Sequence, residues 1–368
     1  MRVLQVTPFY EPSVGGVETA VRATALGLQA RGIDVDVLTA DPSGRLPGSE
    51  VLGGVRVRRV AAWPRNGDQV VAPGVVRAIA QGDWDVIHVQ CYHTFLSPLA
   101  MVAAARSRTP YVLTFHGGGH TSRLRGAVRD RQLRAMRPVL ARAAALIATA
   151  DWEVERYPAL LRLPAGRFVT IPNGSNLPAV DGSVATDGTL IVSIGRLERY
   201  KGHQRAIAAL PHVLREVPDA RLWIAGTGPY GSELADLARE LGVADRVEIR
   251  AERDRDAYAR QLAGASVATL LSEFETHPMA AVEAIALGVP MLVGRDGGGL
   301  SELANKRLAS GVDLEGHAAE HAAQIVQLID QPPQAPPVNL QSWDDTVDAL
   351  LSLYAQILGR NAEKDGQA

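Results

Sequence analysis

The chain has 368 residues, 46% hydrophobic and 21% charged, with a net charge of −2 and a mean hydropathy near zero. That is the composition of a water-soluble globular protein too long for one core, so two domains are expected and the charge makes no general case for nucleic acid. The single cysteine, Cys91, excludes a disulfide framework and a multi-cysteine zinc site within the chain, and fits a reducing cytosol.

Met1-Arg2 leads straight into the strand-like run VLQVTPFY, with no apolar signal-peptide core, and no window approaches the roughly 20 apolar residues that span a bilayer. A cytoplasmic location is therefore expected. Arg2 to Pro8 predicts a strand, followed by a Gly-bearing loop and a helix from about Glu18 to Arg31. Further strands are predicted at 34–39, 55–60, 86–90, 111–115 and 144–149. Strands separated by helical patterns imply parallel pairing through βαβ crossovers. Leu177 to Gly188, with Pro, two Gly and small polar residues, predicts a linker. A second cycle of strands follows at 190–194, 221–225, 247–250, 267–271 and 290–293. Gln331 to Pro337 breaks the chain, and a closing amphipathic helix runs from about Trp343 to Leu358. The expected architecture is α/β, with two Rossmann-like domains at 1–178 and 189–342 and a helix over 343–360 that packs back on the first.

In open parallel sheets ligands bind beyond the carboxyl ends of the strands, and the unusual residues fall there. Gly15 and Gly16 follow the first strand, where backbone can approach a ligand or simply turn into a helix. His116 opens HGGGH at the end of Tyr111 to Phe115; it can donate to a sugar hydroxyl or a phosphate, or be an exposed turn residue. Arg196 and Lys201 flank the turn GRLERYKG, where a planar fork and a point charge suit a diphosphate, or only make a solvated basic loop. GTGP at 226–229 is an ordinary tight turn or one that keeps room for a ligand. In LSEFETHPMAAVEAIALGVP, Glu275 lies in a polar turn and Glu283, eight residues on, lies in a helical pattern. Two carboxylates beside a helix N-terminus suggest acceptors for sugar hydroxyls flanking a phosphate site.

Taken in order, GGVE, HGGG, IPNG, GRLERYKG, GTGP, E-x7-E, the late GG..E of Gly298 to Glu302 and the closing SW…LY helix resemble retaining glycosyltransferase family 4, of GT-B architecture. The resemblance covers nearly the whole chain. It implies transfer of a sugar from a nucleotide-diphosphate donor to a hydroxyl acceptor, with retention by front-face displacement and without a metal or other cofactor. The acceptor is then a glycan, a lipid-linked sugar or a natural product. Arg196 and Lys201 match the pair that grips the diphosphate, Glu283 the ribose carboxylate, Glu275 the carboxylate near the donor sugar ring, and His116 a sugar contact. Glu275, His116, Arg196 and Lys201 thus form the catalytic set. Gly15, Gly16, Gly228, His277, Pro278 and Met279 join the donor side; Glu18, His93 and His120 are expected on the acceptor side.

Thr276, His277 and Pro278 depart from the family pattern of Gly, an aromatic or Ser, and Gly after the first glutamate, and Pro278 removes a backbone donor. Arg250-Ala251-Glu252 replaces the usual Phe-Gly ending. Asp83-Trp84-Asp85 spells a DxD, but at the amino end of its strand, where it predicts a turn and not a metal site. The Arg-rich span Arg123 to Arg142 predicts one basic helix, either a solvated face or intrachain salt-bridge partner, or a peripheral contact with anionic membrane lipid or a pyrophosphate-linked acceptor. Two alternatives remain: a non-catalytic nucleotide-sugar-binding protein, and a nucleotide-sugar epimerase of the same build.

Overall fold

The computed structural model describes residues 1–13, 15–65, 70–117, 123–180, 188–333, 338 and 340–365. They fall into two compact units: Met1–Gly117 with Leu124–Gly174 and Gln341–Ala368, and Ser175–Leu340 with Gly118–Arg123.

In the first unit the strands are β1 (Arg2–Thr7), β2 (Asp34–Asp41), β3 (Ser49–Leu52), β4 (Val55–Ala61), β5 (Val86–Gln90), β6 (Tyr111–Thr114), β7 (Ala145–Ala148) and β8 (Phe168–Thr170). The helices are α1 (Gly16–Ala30), α2 (Gly74–Ala80), α3 (Leu96–Arg106), α4 (Arg123–Ala135), α5 (Arg137–Leu140) and α6 (Asp151–Leu161). The sheet order is β3-β4-β2-β1-β5-β6-β7-β8, and only β3 runs antiparallel, against β4. Helices bury both faces, so the central strands are apolar on alternate and intervening positions alike. In β5 all five residues are buried, His88 and Gln90 included.

The second unit holds β9 (Leu190–Ile194), β10 (Arg221–Ala225), β11 (Val247–Arg250), β12 (Val267–Leu270), β13 (Met291–Gly294) and β14 (Ser310–Val312). Its helices are α7 (His203–Glu216), α8 (Gly231–Glu240), α9 (Arg255–Ala263), α10 (Met279–Ala286), α11 (Gly299–Asn305) and α12 (Ala318–Asp330). The strands are all parallel in the order β11-β10-β9-β12-β13-β14. Renumbered within the unit this is 3-2-1-4-5-6, the doubly wound dinucleotide-fold order, with its switch point between β9 and β12. Asp254 caps α9 by accepting from the N–H groups of Asp256 (2.9 Å) and Ala257 (3.3 Å).

The chain returns to the first unit as α13 (Trp343–Asp365), whose backbone stays helical past Leu358. Val347, Leu350, Tyr354 and Ile357 bury against Val21, Ala25 and Leu28 of α1, each such side chain stabilising the unit by roughly 1.5–3 kcal/mol. Arg31 adds ion pairs to Asp348 (2.6 Å) and Asp344 (3.0 Å). The strand end before the second unit and the segment after it lie side by side. A Cβ on Gly174 would sit 2.5 Å from Trp343 Cα, and Thr346 Oγ1 donates to the Pro172 carbonyl at 3.0 Å.

Several expectations are corrected. The short strands β3, β8 and β14 were not anticipated. α1 begins at Gly16, so the glycines form the helix N-terminus, with Gly15 as its N-cap. The single basic helix is two, α4 and α5, interrupted at Met136. Arg137 donates from Nε to the Leu161 carbonyl (2.9 Å), a cation at the C-terminal end of α6, and Arg156 pairs with Asp130 at 2.8 Å. Asp85 accepts from the Arg2 N–H (2.7 Å) at the amino end of β5, and the Asp83 carbonyl accepts from Arg2 Nη1 (3.3 Å). The expected linker falls in part outside the described residues, at 181–187.

Candidate functional site

At the switch point of the second unit, the loops after β9 and β12 converge. The β9 loop turns through a 3-10 segment, Arg199–Lys201, before α7. The loops are tied by the Glu273 N–H to the Tyr200 carbonyl (2.9 Å) and by Ser272 Oγ to the Lys201 carbonyl (3.3 Å). This brings Lys201 Nζ to 2.5 Å from Glu275 Oε1, with the side chains only 14% and 15% exposed. Partial burial strengthens the pair relative to a surface one.

Arg196, 61% exposed, instead pairs with Glu198 (2.8 Å) and donates to the Tyr200 hydroxyl (3.2 Å), while remaining within Coulombic reach of Glu275. Beneath the loop, buried His203 touches Ser193 Oγ through Nδ1 (2.8 Å) and the Arg196 carbonyl through Nε2 (3.1 Å). A carbonyl only accepts, so Nε2 carries the proton and Nδ1 accepts from Ser193. Burial pushes the His203 pKa down to about 4, so the ring is neutral and fixes the loop that carries Arg196.

Glu275 is anchored by its backbone. Its N–H donates to the Gly297 carbonyl (3.1 Å), and its carbonyl accepts from the Gly299 N–H (2.8 Å). Between them Gly298 adopts φ +66°, and a Cβ there would lie 2.7 Å from the Glu275 carbonyl oxygen. The late glycines are thus required for the close approach that holds Glu275.

Eight residues on, Glu283 lies inside α10 and is 8% exposed. Its Oε1 accepts from Ser175 Oγ (2.5 Å) and Arg255 Nη2 (3.0 Å). Glu275 and Glu283 therefore hold separate partners, one on each side of the α10 N-terminus. At that terminus Pro278 is buried, and the Met279 N–H turns back to the His277 carbonyl (2.9 Å). Gly228 follows Thr227, whose carbonyl accepts from the Leu197 N–H (2.9 Å), close to the Arg196 loop. A cavity of about 570 Å3 is lined by Glu198, Arg199, Tyr200, Pro229, Tyr230, Glu233 and Glu273; Lys201, Glu275 and Glu283 do not line it.

The first unit carries a different constellation at the ends of β5 and β6. His116, with φ +40°, donates from Nε2 to Gln90 Oε1 at 2.8 Å. Gln90 Nε2 donates to Gln5 Oε1 (3.2 Å), and Gln5 Nε2 to Thr24 Oγ1 of α1 (3.2 Å). Next to this chain, fully buried His88 contacts the Tyr354 hydroxyl through Nδ1 (2.6 Å) and Thr114 Oγ1 through Nε2 (2.7 Å). Desolvation first, and the neighbouring His116 second, push the His88 pKa down to about 3. Among the acceptor-side expectations, Glu18 lies in the first turn of α1 beside Gly15, and its charge reaches the buried thiol of Cys91. His93 lies in the loop after β5, edge-on to Tyr92 at 6.0 Å between ring centroids. His120 lies outside the described residues.

The pairing of Lys201 with Glu275 follows from two expected residues. Ser175, Arg255, His203, Gln5, Gln90 and Thr24 were not anticipated, although polar residues in the buried strands VLQVT and VIHVQ signal a bonded network.

Residues 15–174 match the family described as Glycosyl transferase 4-like domain, and residues 181–336 match Glycosyl transferases group 1. D-inositol 3-phosphate glycosyltransferase of Mycolicibacterium smegmatis is 30% identical over 96% of this chain and 90% of its own length. The chain belongs to the group 1 glycosyltransferases. A second relative of this glycosyltransferase, the D-inositol 3-phosphate glycosyltransferase of Nocardiopsis dassonvillei, is 30% identical over 95% of the chain and 92% of its own length. The fold of this glycosyltransferase is GT-B. It superposes on sucrose-phosphate synthase from Thermosynechococcus elongatus with a TM-score of 0.69 at 21% identity, covering 100% of this chain and 99% of the other. For Anabaena HepE in complex with UDP-glucose the TM-score is 0.65 at 17% identity, with 100% of both chains covered. No helix among the described residues of the glycosyltransferase is long and apolar enough to cross a membrane.

Proposed function

We propose that this glycosyltransferase takes its sugar from a nucleotide-diphosphate donor, retains the anomeric configuration and needs no metal. The observation that carries the reading is the half-buried Lys201–Glu275 pair at the switch point of a doubly wound sheet, beside the N-terminus of α10. Nucleotides bind at such switch points. In this reading Lys201 stabilises the charge that grows on the leaving diphosphate, assisted by Arg196 and the α10 dipole, which together supply the role a cation plays elsewhere. Glu275 orients Lys201 and accepts from a donor sugar hydroxyl. Glu283, already bonded to Ser175 and Arg255, accepts from the ribose. Attack proceeds on the same face as departure, with the leaving phosphate taking the acceptor's proton. Gly15, Gly16, Gly228, His277, Pro278 and Met279 border the donor; Glu18 and His93 belong to the acceptor side in this reading.

The names of the curated relatives make D-inositol 3-phosphate the first acceptor to test, and the UDP-glucose complex of HepE makes UDP-sugars the first donors. Thermal-shift measurement against UDP-, GDP-, ADP- and dTDP-sugars identifies the donor, since binding to the folded state raises the melting temperature by mass action. Proton NMR of the product then reads the anomeric configuration, in buffer with and without EDTA. Inverted product, loss of transfer in EDTA, or nucleotide binding with no turnover across a broad acceptor panel each overturns a stated part of the reading. The exposed arginines Arg131 and Arg134 of α4 extend it to peripheral attachment to anionic lipid; failure to sediment with anionic vesicles at low salt removes that extension.

A further inference from the structure

The chain of amides that ends on His116 has a direction. At its far end Thr24 Oγ1 lies 2.8 Å from the Ala20 carbonyl and 3.2 Å from the Val21 carbonyl. Those oxygens only accept, so the hydroxyl proton goes to the helix backbone, a bond Thr commonly makes inside helices. Thr24 Oγ1 is then left as an acceptor toward the first amide. Gln5 must present its NH2 to Thr24, at 3.2 Å, and its carbonyl to Gln90. Gln90 in turn presents its NH2 to Gln5, at 3.2 Å, and its carbonyl to His116. A carbonyl facing His116 Nε2 at 2.8 Å requires a proton on that nitrogen. Gln5, Gln90 and Thr24 are buried, where an amide turned the wrong way leaves groups unsatisfied, at a cost that keeps the direction fixed.

We propose that Gln90 is a positioning residue for transfer: the Thr24–Gln5–Gln90 chain holds neutral His116 in the tautomer protonated on Nε2. The ring's lone pair then resides on Nδ1, and His116 meets a sugar hydroxyl as an acceptor. Imidazole chemistry alone allows either role; the chain fixes the accepting one and selects a substrate bearing a hydroxyl, not an ether or a deoxy carbon, at that contact. The inference rests on the reading of His116 as a substrate contact. The neighbouring ring, His88, is neutral and bonded to Tyr354 and Thr114, so it places no charge against His116.

The test uses the full chain labelled with 15N-histidine, with the His116 signals assigned by their loss in His116→Gln. Two-bond 15N–1H correlations at pH 8 read the tautomer without substrate. The expected result is Nε2–H in the wild type and loss of that preference in Gln90→Leu, with transfer kcat falling about ten-fold, the worth of one hydrogen bond. The melting-temperature shift on binding nucleoside diphosphate is expected to stay unchanged. Gln90→Glu keeps the shape and adds a negative charge against Nε2. It is expected to stabilise the imidazolium, which lacks the accepting lone pair, and to move the acid limb of the kcat profile to higher pH. A wild-type proton on Nδ1, or the same tautomer in Gln90→Leu, overturns the proposal. An acid limb unmoved in Gln90→Glu, or full kcat in Gln90→Leu despite a changed tautomer, overturns its catalytic half. Wild-type turnover in His116→Ala would instead overturn the reading of His116 itself, which the tautomer measurement does not depend on.

Discussion

The two units solve the same problem, polar groups at the carboxyl ends of parallel strands, in opposite ways. The second unit uses formal charge: Lys201 with Glu275, and Arg255 with Glu283. Around β5, β6 and α6 the first keeps its buried groups neutral, although buried Asp36 of β2 pairs with Arg58 at 2.9 Å elsewhere in the sheet. His88 loses its proton affinity to burial, with a pKa pushed down to about 3, and Glu153, buried at the start of α6, has its pKa pushed up to about 7 by desolvation. On the proposed reading charge suits the second unit, because an anionic donor would complete the pairing. A neutral network suits a unit that must set the orientation of a ring and a helix without attracting ions.

The largest expected effect breaks the charged side. Lys201→Ala should lower the transfer rate by about 10²–10³-fold, the cost of removing one group that stabilises transition-state charge. Initial rates at saturating donor check this, and wild-type turnover would refute the assigned role.

The neutral side is tested by pH. Glu153 has a folded pKa of about 7 against an ordinary 4.5, so the folded state holds the proton more tightly than the unfolded one. Its contribution is fully present below pH 4.5 and falls by about 3 kcal/mol as pH rises through 7. Glu153→Gln keeps an acceptor for the Thr149 N–H, which Oε2 now takes at 2.7 Å, without the titration. Denaturant melts should therefore show the variant more stable than the wild type at pH 8 and no more stable at pH 5. His88 has the opposite sign: with a folded pKa of about 3, its stabilising contribution is lost as pH falls from about 6.5 toward 3.

Glu283→Ala should weaken donor binding about ten-fold, the worth of a hydrogen bond to a charged group, with a smaller change in turnover. Isothermal titration with the nucleoside diphosphate measures it, and an unchanged dissociation constant would remove the ribose contact. The smallest effect is Tyr354→Phe, which takes the hydroxyl from His88 Nδ1 and should cost about 1 kcal/mol of stability. Because no charge is involved, that loss should be the same at low and high salt, whereas the donor affinity of the second unit should fall with salt. A salt-dependent Tyr354→Phe would blur the contrast.

Much of this was legible in the residues. The strand runs and the Gly-rich turns that end them marked the carboxyl edges, and the spacing of Glu275 and Glu283 placed one in a loop and one in α10. What escaped has physical causes. β8 and β14 have three residues each, too few to show a period. β3 pairs antiparallel at the sheet edge and mixes exposed with half-buried residues. The break between α4 and α5 comes at Met136, which packs into the core while Arg137 turns to the end of α6; helical periodicity through 123–142 does not reveal it. The partners of Glu283 come from 108 and 28 residues away, and no local pattern links them. Gln5, His88 and Gln90 were visible as polar residues in otherwise apolar strands, but their shared network needed the register of β1 beside β5, in which Gln5 lies opposite His88.

The contact of Gly174 with Trp343 makes the second unit an insertion in the first. The chain leaves β8 and comes back into α13 through two adjacent backbones, with the 166 residues of Ser175–Leu340 between them in sequence. A fragment ending at residue 174 would lack α13 and expose the α1 surface that Val347, Leu350 and Tyr354 cover. Splicing Gly174 to Gln341 through a short Gly-Ser bridge would close the first unit on itself, and the released segment would be, on the proposed reading, a transplantable cassette for the donor.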